Sequence, residues 1–165
     1  VKNTKPHPCK RVRFFIKYSS LNNIHFAVVG HITNYFFVKE GFMINYITLG
    51  VSDIEKSASF YESLLEDFGV KRLVNMDRIK YIGKSMKEPM VAVCIPWDEK
   101  EPSPGNGNMF SIAPGNKQKV DRMHEKALSL GATCDGAPGQ RVPGKFYAAY
   151  VRDFDGNKIC FNFFG

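Results

Sequence analysis

From Met43 onward the apolar positions fall into short alternating runs, interrupted twice by longer stretches with helical spacing. The run Ile44 to Val51 alternates as a strand does. Ser52, followed three residues later by Glu55, has the spacing of a capping box and opens a helix. Ile54, Ala58, Tyr61, Leu64, Leu65 and Phe68 mark one face of that helix, and Gly69 supplies a left-handed stop. Strands are predicted at 70–76, 79–83 and 89–95. A connector rich in Pro, Gly and Asn, from Pro96 to Gly107, reads as loop. The order then begins again. Asn108 to Ala113 is a strand and Asn116 an N-cap, and Val120, Met123, Ala127, Leu128 and Leu130 line a helix stopped by Gly131. Strands at 132–135, 146–152 and 158–164 complete the unit. The last two are joined by Asp153-Phe154-Asp155-Gly156-Asn157, whose Asp-Gly suits a tight hairpin.

The pattern is therefore one β-α-β-β-β unit written twice, each copy too small to close a core alone. It predicts an α+β domain over 43–165, with module one at 43–97 and module two at 108–165. The two modules form a curved, open, eight-stranded sheet around a cleft, with the helices outside.

Residues 1–42 follow no such period. They carry seven of the 23 Lys and Arg residues (Lys2, Lys5, Lys10, Arg11, Arg13, Lys17, Lys39) and one acid, Glu40, so +6 of the net +7 sits there and +1 in the rest. The body is electrically ordinary, and the overall charge says little about what it binds. The leader has three readings. It is an organelle transit peptide, a nucleic-acid arm in which Phe14, Phe15 and Tyr18 stack on bases, or translated upstream sequence of a bacterial gene whose natural start is Met43. Lys39-Glu40-Gly41 can be encoded by a purine-rich ribosome-binding sequence just ahead of the Met43 codon, and the third reading is preferred. Nucleic acid is accordingly not the expected partner.

Composition, at 44% hydrophobic and 24% charged residues, is that of a globular chain. No apolar run approaches the roughly 20 residues that cross a bilayer, so no membrane partner is expected. Cys9, Cys94, Cys134 and Cys160 form no CxxC pair, which fits reduced thiols in a cytoplasmic setting.

Three separated motifs carry a resemblance. Thr48-Leu49-Gly50-Val51-Ser52-Asp53 with Ser59-Phe60-Tyr61 resembles the opening of the vicinal-oxygen-chelate superfamily, which includes glyoxalases, extradiol dioxygenases and bleomycin- or fosfomycin-resistance proteins. The segment Tyr147 to Ile159 is similar to the second-module signature, with Phe154 where proline is usual. Pro104 to Asn108, with Ala113-Pro114 and Val120-Asp121, is similar to the glyoxalase-like bacterial subgroup. The resemblance covers 43–165 and implies a homodimer.

It also implies a divalent metal held in the cleft by His and Glu, two from each module. The matching positions are Tyr46 on the first strand, Asn108 opening module two and Cys160 after Asn157-Lys158-Ile159. Internal symmetry adds Cys94, aligned with Cys160. Neutral tyrosine and asparagine bring neither a low-pKa lone pair nor a negative charge, so no metal cofactor is expected and a divalent ion is disfavoured. Cys94 and Cys160 could pair or hold a soft ion, but small buried strand residues explain them better. The only histidine of 43–165 is His124, read as a surface or helix-flank residue.

Tyr147 and Tyr150 offer hydroxyls or stacking faces near the cleft end, or pack the core. Trp97, at the mouth of the connector, either lids the cleft or serves packing. Arg141 and Lys145 flank a Pro-Gly loop and could meet an anionic group, though solvated loop charges are the simpler reading. The ligand-binding set is thus Tyr46, Cys94, Trp97, Asn108, Tyr147, Tyr150 and Cys160, with no catalytic residue assigned. The expected function is capture of a small aromatic or amphipathic molecule without the usual metal. The alternative is a glyoxalase-like lyase or dioxygenase-type enzyme with a nonstandard metal site.

Overall fold

A computed structural model describes residues 42–165. The readings of the basic leader concern, Phe42 apart, residues outside that range. The first strand, β1, spans Tyr46–Gly50, and its alternation sends Ile47 and Leu49 into the core while Tyr46 and Thr48 stay on the other face. Helix α1 (Ile54–Leu64) buries Ser57, Ala58, Phe60, Tyr61 and Leu64. Strands β2 (Lys71–Asn75), β3 (Ile79–Gly83) and β4 (Met90–Cys94) complete a four-stranded mixed sheet in the order β1-β4-β3-β2, with β1 parallel to β4. The second unit repeats this plan. It contains β5 (Phe110–Ile112), α2 (Lys117–Ser129), β6 (Thr133–Val142), β7 (Phe146–Arg152) and β8 (Lys158–Phe164), ordered β5-β8-β7-β6. The α+β class and the eight strands are as expected from the sequence. Neither sheet closes into a barrel.

Each helix lies over its own sheet, and the helix-side residues of both sheets merge into one buried cluster. That cluster takes in Tyr61, Leu64, Ile82 and Val93 from the first unit and Val120, Val151, Ile159 and Phe161 from the second. Ring contacts cross between the units at Phe60–Phe154 (5.3 Å between centroids) and Tyr61–Phe110 (6.2 Å). Neither β-α-β-β-β unit could bury this much apolar surface by itself.

The polar link between the units is built on Asp153, at the head of the β7–β8 hairpin. Its buried carboxylate accepts from the Tyr61 hydroxyl (2.7 Å), from Asn157 Nδ2 (2.9 Å), and from the backbone N–H groups of Asp155 (3.1 Å) and Asn157 (2.8 Å). Asn157 Nδ2 also donates to the Gly50 carbonyl at the end of β1 (3.0 Å). Burial and the neighbouring carboxylate push the Tyr61 hydroxyl well above its ordinary pKa, so it remains a donor.

Three local expectations are corrected. The cap of α1 is Asp53, whose side chain accepts from the Lys56 N–H at 3.0 Å, rather than Ser52. Ser52 is drawn away by the hairpin, and its N–H and hydroxyl both donate to Asp155 Oδ1 (2.9 and 2.6 Å). Glu55, expected to reach back to the cap, pairs instead with Lys80 and Arg72, both at 2.7 Å. Phe68 leaves the buried face because α1 ends at Leu64 and a 3-10 turn (Glu66–Phe68) carries the chain to Gly69, left-handed at φ 70°. His124, expected at the surface, is buried against Cys134, its Nε2 lying 3.3 Å from the Cys134 Sγ. Burial pushes its imidazole below the ordinary value of 6.5.

Two outcomes follow. Tyr61→Phe removes a donor from a buried carboxylate and should cost about 1.5–3 kcal/mol in urea unfolding at pH 7. An unchanged midpoint would show that Asp153 does not depend on Tyr61. For His124 the unfolded chain takes up the proton first as pH falls below 6.5. The native state therefore loses stability from there down to the lower folded value. Unfolding midpoints at pH 7.5 and 5.5 should differ less in His124→Gln than in the parent.

Candidate functional site

Strand alternation separates a helix side from a cleft side on each sheet. On the first sheet Thr48, Ala92 and Tyr81 stand side by side across β1, β4 and β3. On the second, Ser111, Cys160 and Tyr150 do the same across β5, β8 and β7. The two rows are equivalent, since Thr48 and Ser111 each precede their helix cap (Asp53, Asn116) by five residues. Each row is a hydroxyl, a small residue and a tyrosine.

This register revises the symmetry read from the sequence. The partner of Cys160 is Ala92, not Cys94, which stands one cross-strand row further on, opposite Gly50 and Ile79. Met109, rather than Asn108, precedes its cap by seven residues as Tyr46 does. Asn108 packs its amide against Gly105 in the connector.

Tyr46 lies on the cleft side, half-exposed, with its ring edge-to-face on Tyr81 at 5.1 Å. Burial, and then the Tyr46 hydroxyl, raise the pKa of Tyr81. Burial likewise raises the Cys94 thiol, against a smaller opposing pull from Arg78, so Cys94 is a neutral thiol at pH 7. Trp97 is 84% exposed, and the Arg78 guanidinium sits 5.0 Å from its ring. On the second sheet Cys160 is buried beside Tyr150. Asn162, one row along, is also buried. Its Nδ2 donates to the Ser111 hydroxyl and its Oδ1 has no partner.

Tyr147 does not join this set. It is three residues from Tyr150 on the same strand, so the two point to opposite faces. Its hydroxyl donates to Asp121 on α2 (2.7 Å), which together with burial raises its pKa. Arg141 belongs to β6, not to a loop.

A polar hollow of about 270 Å³ lies between β1 and the start of β5, lined by Thr48, Gly50, Ser103, Asn108, Asn157 and Lys158 among others. It brings Asn108 and Lys158 to the edge that carries Thr48. A larger apolar groove of about 790 Å³ includes the helix-side residues Ile47, Ile82, Val91 and Ile112 with Leu65 and Phe68, and is not the cleft.

A family model described as Glyoxalase/Bleomycin resistance protein/Dioxygenase superfamily matches residues 43–161. The chain belongs to this superfamily. A solved glyoxalase/bleomycin resistance protein from Albidiferax ferrireducens is similar at 31% identity and TM-score 0.64, over 73% of this chain and 97% of that one. A glyoxalase/bleomycin resistance protein/dioxygenase family enzyme from Burkholderia phytofirmans shares the fold at 20% identity and TM-score 0.59, over 72% and 95%. A lactoylglutathione lyase from Agrobacterium tumefaciens does so at 18% and 0.54, over 72% and 91%. No curated protein matches the chain.

The glyoxalase superfamily implies a divalent metal in the cleft, and the donors here do not fit one. The positions matching the expected ligands, and their row neighbours on the cleft side, are held by Tyr46, Thr48, Ala92, Cys94, Ser111, Cys160 and Asn162. Among the described residues no three His, Cys, Asp or Glu side chains come together as a metal-binding group. A hard or borderline cation needs imidazole or carboxylate, and neither is present in these rows.

Thiol exposure gives a direct check of this geometry. Cys134 is exposed, Cys94 half-buried and Cys160 buried. Iodoacetamide labelling followed by peptide mass mapping should modify them in that order, with Cys160 protected until the protein unfolds. Early labelling of Cys160 would contradict its placement.

Proposed function

We propose that this superfamily member captures a small aromatic or amphipathic molecule on the cleft side of its sheets, without a divalent metal. The observation that carries the reading is the pairing of aromatic rings with small neighbours in place of metal donors. Tyr46 and Tyr81 meet edge-to-face, Tyr150 stands opposite Cys160, and Trp97 lies exposed beyond the end of β4. Such a surface offers apolar burial and a few placed polar groups, which is how small-molecule sites gain affinity and orientation. The Thr48 and Ser111 hydroxyls, the Asn108 amide and the Cys94 thiol supply those groups. Cys160 serves as floor beneath Tyr150.

The reading extends to the protein's surroundings. Membership of the superfamily supports a homodimer, to be tested by light scattering. The free thiols Cys94, Cys134 and Cys160 are consistent with a reducing, cytoplasmic compartment. No helix of the described residues is long and apolar enough to cross a membrane.

Thermal unfolding in the presence of a planar aromatic such as 2-naphthol should show a saturable rise in Tm. Tyr46→Ala and Trp97→Ala should each weaken binding about 5- to 10-fold, on the scale of one lost aromatic contact. Nickel, zinc and manganese should leave Tm unchanged. A saturable rise with one of these ions, and none with aromatics, would replace the binding reading with the enzyme one.

A further inference from the structure

The cleft sides of the two sheets differ in charge. On the first, Tyr46, Thr48, Ala92, Tyr81 and the neutral Cys94 share the face, with Arg78 at its end over Trp97. On the second, two cations lie over one ring, and a third is tied to them through a shared carboxylate. Lys158 and Arg152 are cross-strand partners at the open end of the Tyr150 row. The Lys158 ammonium lies 4.9 Å from the Tyr150 ring and the Arg141 guanidinium 5.1 Å. The carboxylate of Asp135 pairs with Lys158 (2.8 Å) and Arg152 (3.3 Å), and both partners, Lys158 first, lower its pKa. No carboxylate among the described residues pairs with Arg141. The cluster therefore keeps an excess of positive charge.

The backbone is shaped to hold Arg141 there. Strand β6 shifts register against β7 three times between Cys134 and Val142. Such bulges bend a strand and re-aim its side chains. Gly136, opposite Tyr150, has φ 156°, and a Cβ there would come 2.8 Å from Tyr150 Cδ2 and 3.4 Å from Arg141 Nη2. A Cβ at Gly139 would also touch Arg141. Arg141 thus folds back over two glycines onto the tyrosine, and Nη2 is anchored on the Ala137 carbonyl at 2.5 Å. A guanidinium has five N–H donors, and a carbonyl anchor plus a stacked ring leaves most of them unspent. Lys158 also lines the polar hollow beside Thr48 and Asn108, so the cationic group continues into that space.

We propose that Arg141, Lys158 and Tyr150 form an anion subsite, which takes the carboxylate or phosphate of a planar or aromatic small molecule. The ring stacks on the ligand or on the guanidinium, Arg141 offers a fork matched to two acceptor oxygens, and Lys158 adds a point charge. Arg152 positions Lys158 through their shared carboxylate, Asp135. The proposal rests on the cleft-side binding reading and specifies the charge of what is bound.

The experiment compares 2-naphthoate, its neutral amide 2-naphthamide, and 2-naphthyl phosphate by calorimetry on the full chain, at low and at 0.5 M salt. The two anions should bind at least 10-fold more tightly than the amide, with an advantage that shrinks in salt. Arg141→Gln and Lys158→Gln should each erase most of that advantage while leaving amide binding within about twofold. Arg141→Lys should restore part of it. Amide binding serves as the check that each variant is folded. Equal affinity for amide and anions would overturn the anion subsite and leave the aromatic cleft standing; the Tyr150 cluster would then be structural stacking only. Failure of all three compounds to bind would count against the cleft reading as well.

Discussion

A buried carboxylate is the polar link between the two halves of this molecule. Asp153 takes two hydrogen bonds from its own hairpin backbone, one from the Asn157 amide and one from Tyr61 on the opposite unit's helix. A buried charge is tolerated only when its lone pairs are used in this way. The consequence is geometric. Asn157 reaches the last carbonyl of β1, and Asp155 receives Ser52, so the β7–β8 hairpin is fastened to the turn between β1 and α1. That fastening ties the end of β1 to the hairpin, and Lys158, the next residue along, lines the polar hollow. The apolar cluster supplies most of the driving force for folding.

Much of this was legible in the chain. Strand and helix periods, the Asp-Gly hairpin and the two glycine stops located both helices and the eight strands, because those signals are local, though they missed the 3-10 turn at Glu66–Phe68 and most of the length of β6. The errors came where distant groups compete. Ser52 and Asp53 can both cap a helix, and only the far-off Asp155 decides between them. The sequence pattern ends this strand at residue 135, yet β6 runs to Val142, because its edge position lets bulges absorb Pro138 and Gly139. His124 gave no signal of its burial, since its partner Cys134 lies on the next element.

The candidate site was legible as a face and less so as positions. Tyr46 and Cys160 could be placed from the superfamily motifs. Cys94 was displaced by one cross-strand row, because loops of different length precede β4 and β8, and counting from strand ends does not respect pairing. Tyr147 and Tyr150 were grouped by proximity in sequence although an odd spacing on a strand separates them. The Arg141 arrangement was missed for a related reason: the signal lay in Gly136 and Gly139, whose lack of side chains matters only beside Tyr150.

The bulged course of β6 carries a further consequence for assembly. It forms the outer margin of its sheet, where exposed N–H and C=O groups ordinarily invite a foreign strand to dock. Pro138 lacks the donor such docking would use, and three register breaks leave no straight ladder to copy. That margin is thereby a poor template for fibril-like growth by strand addition.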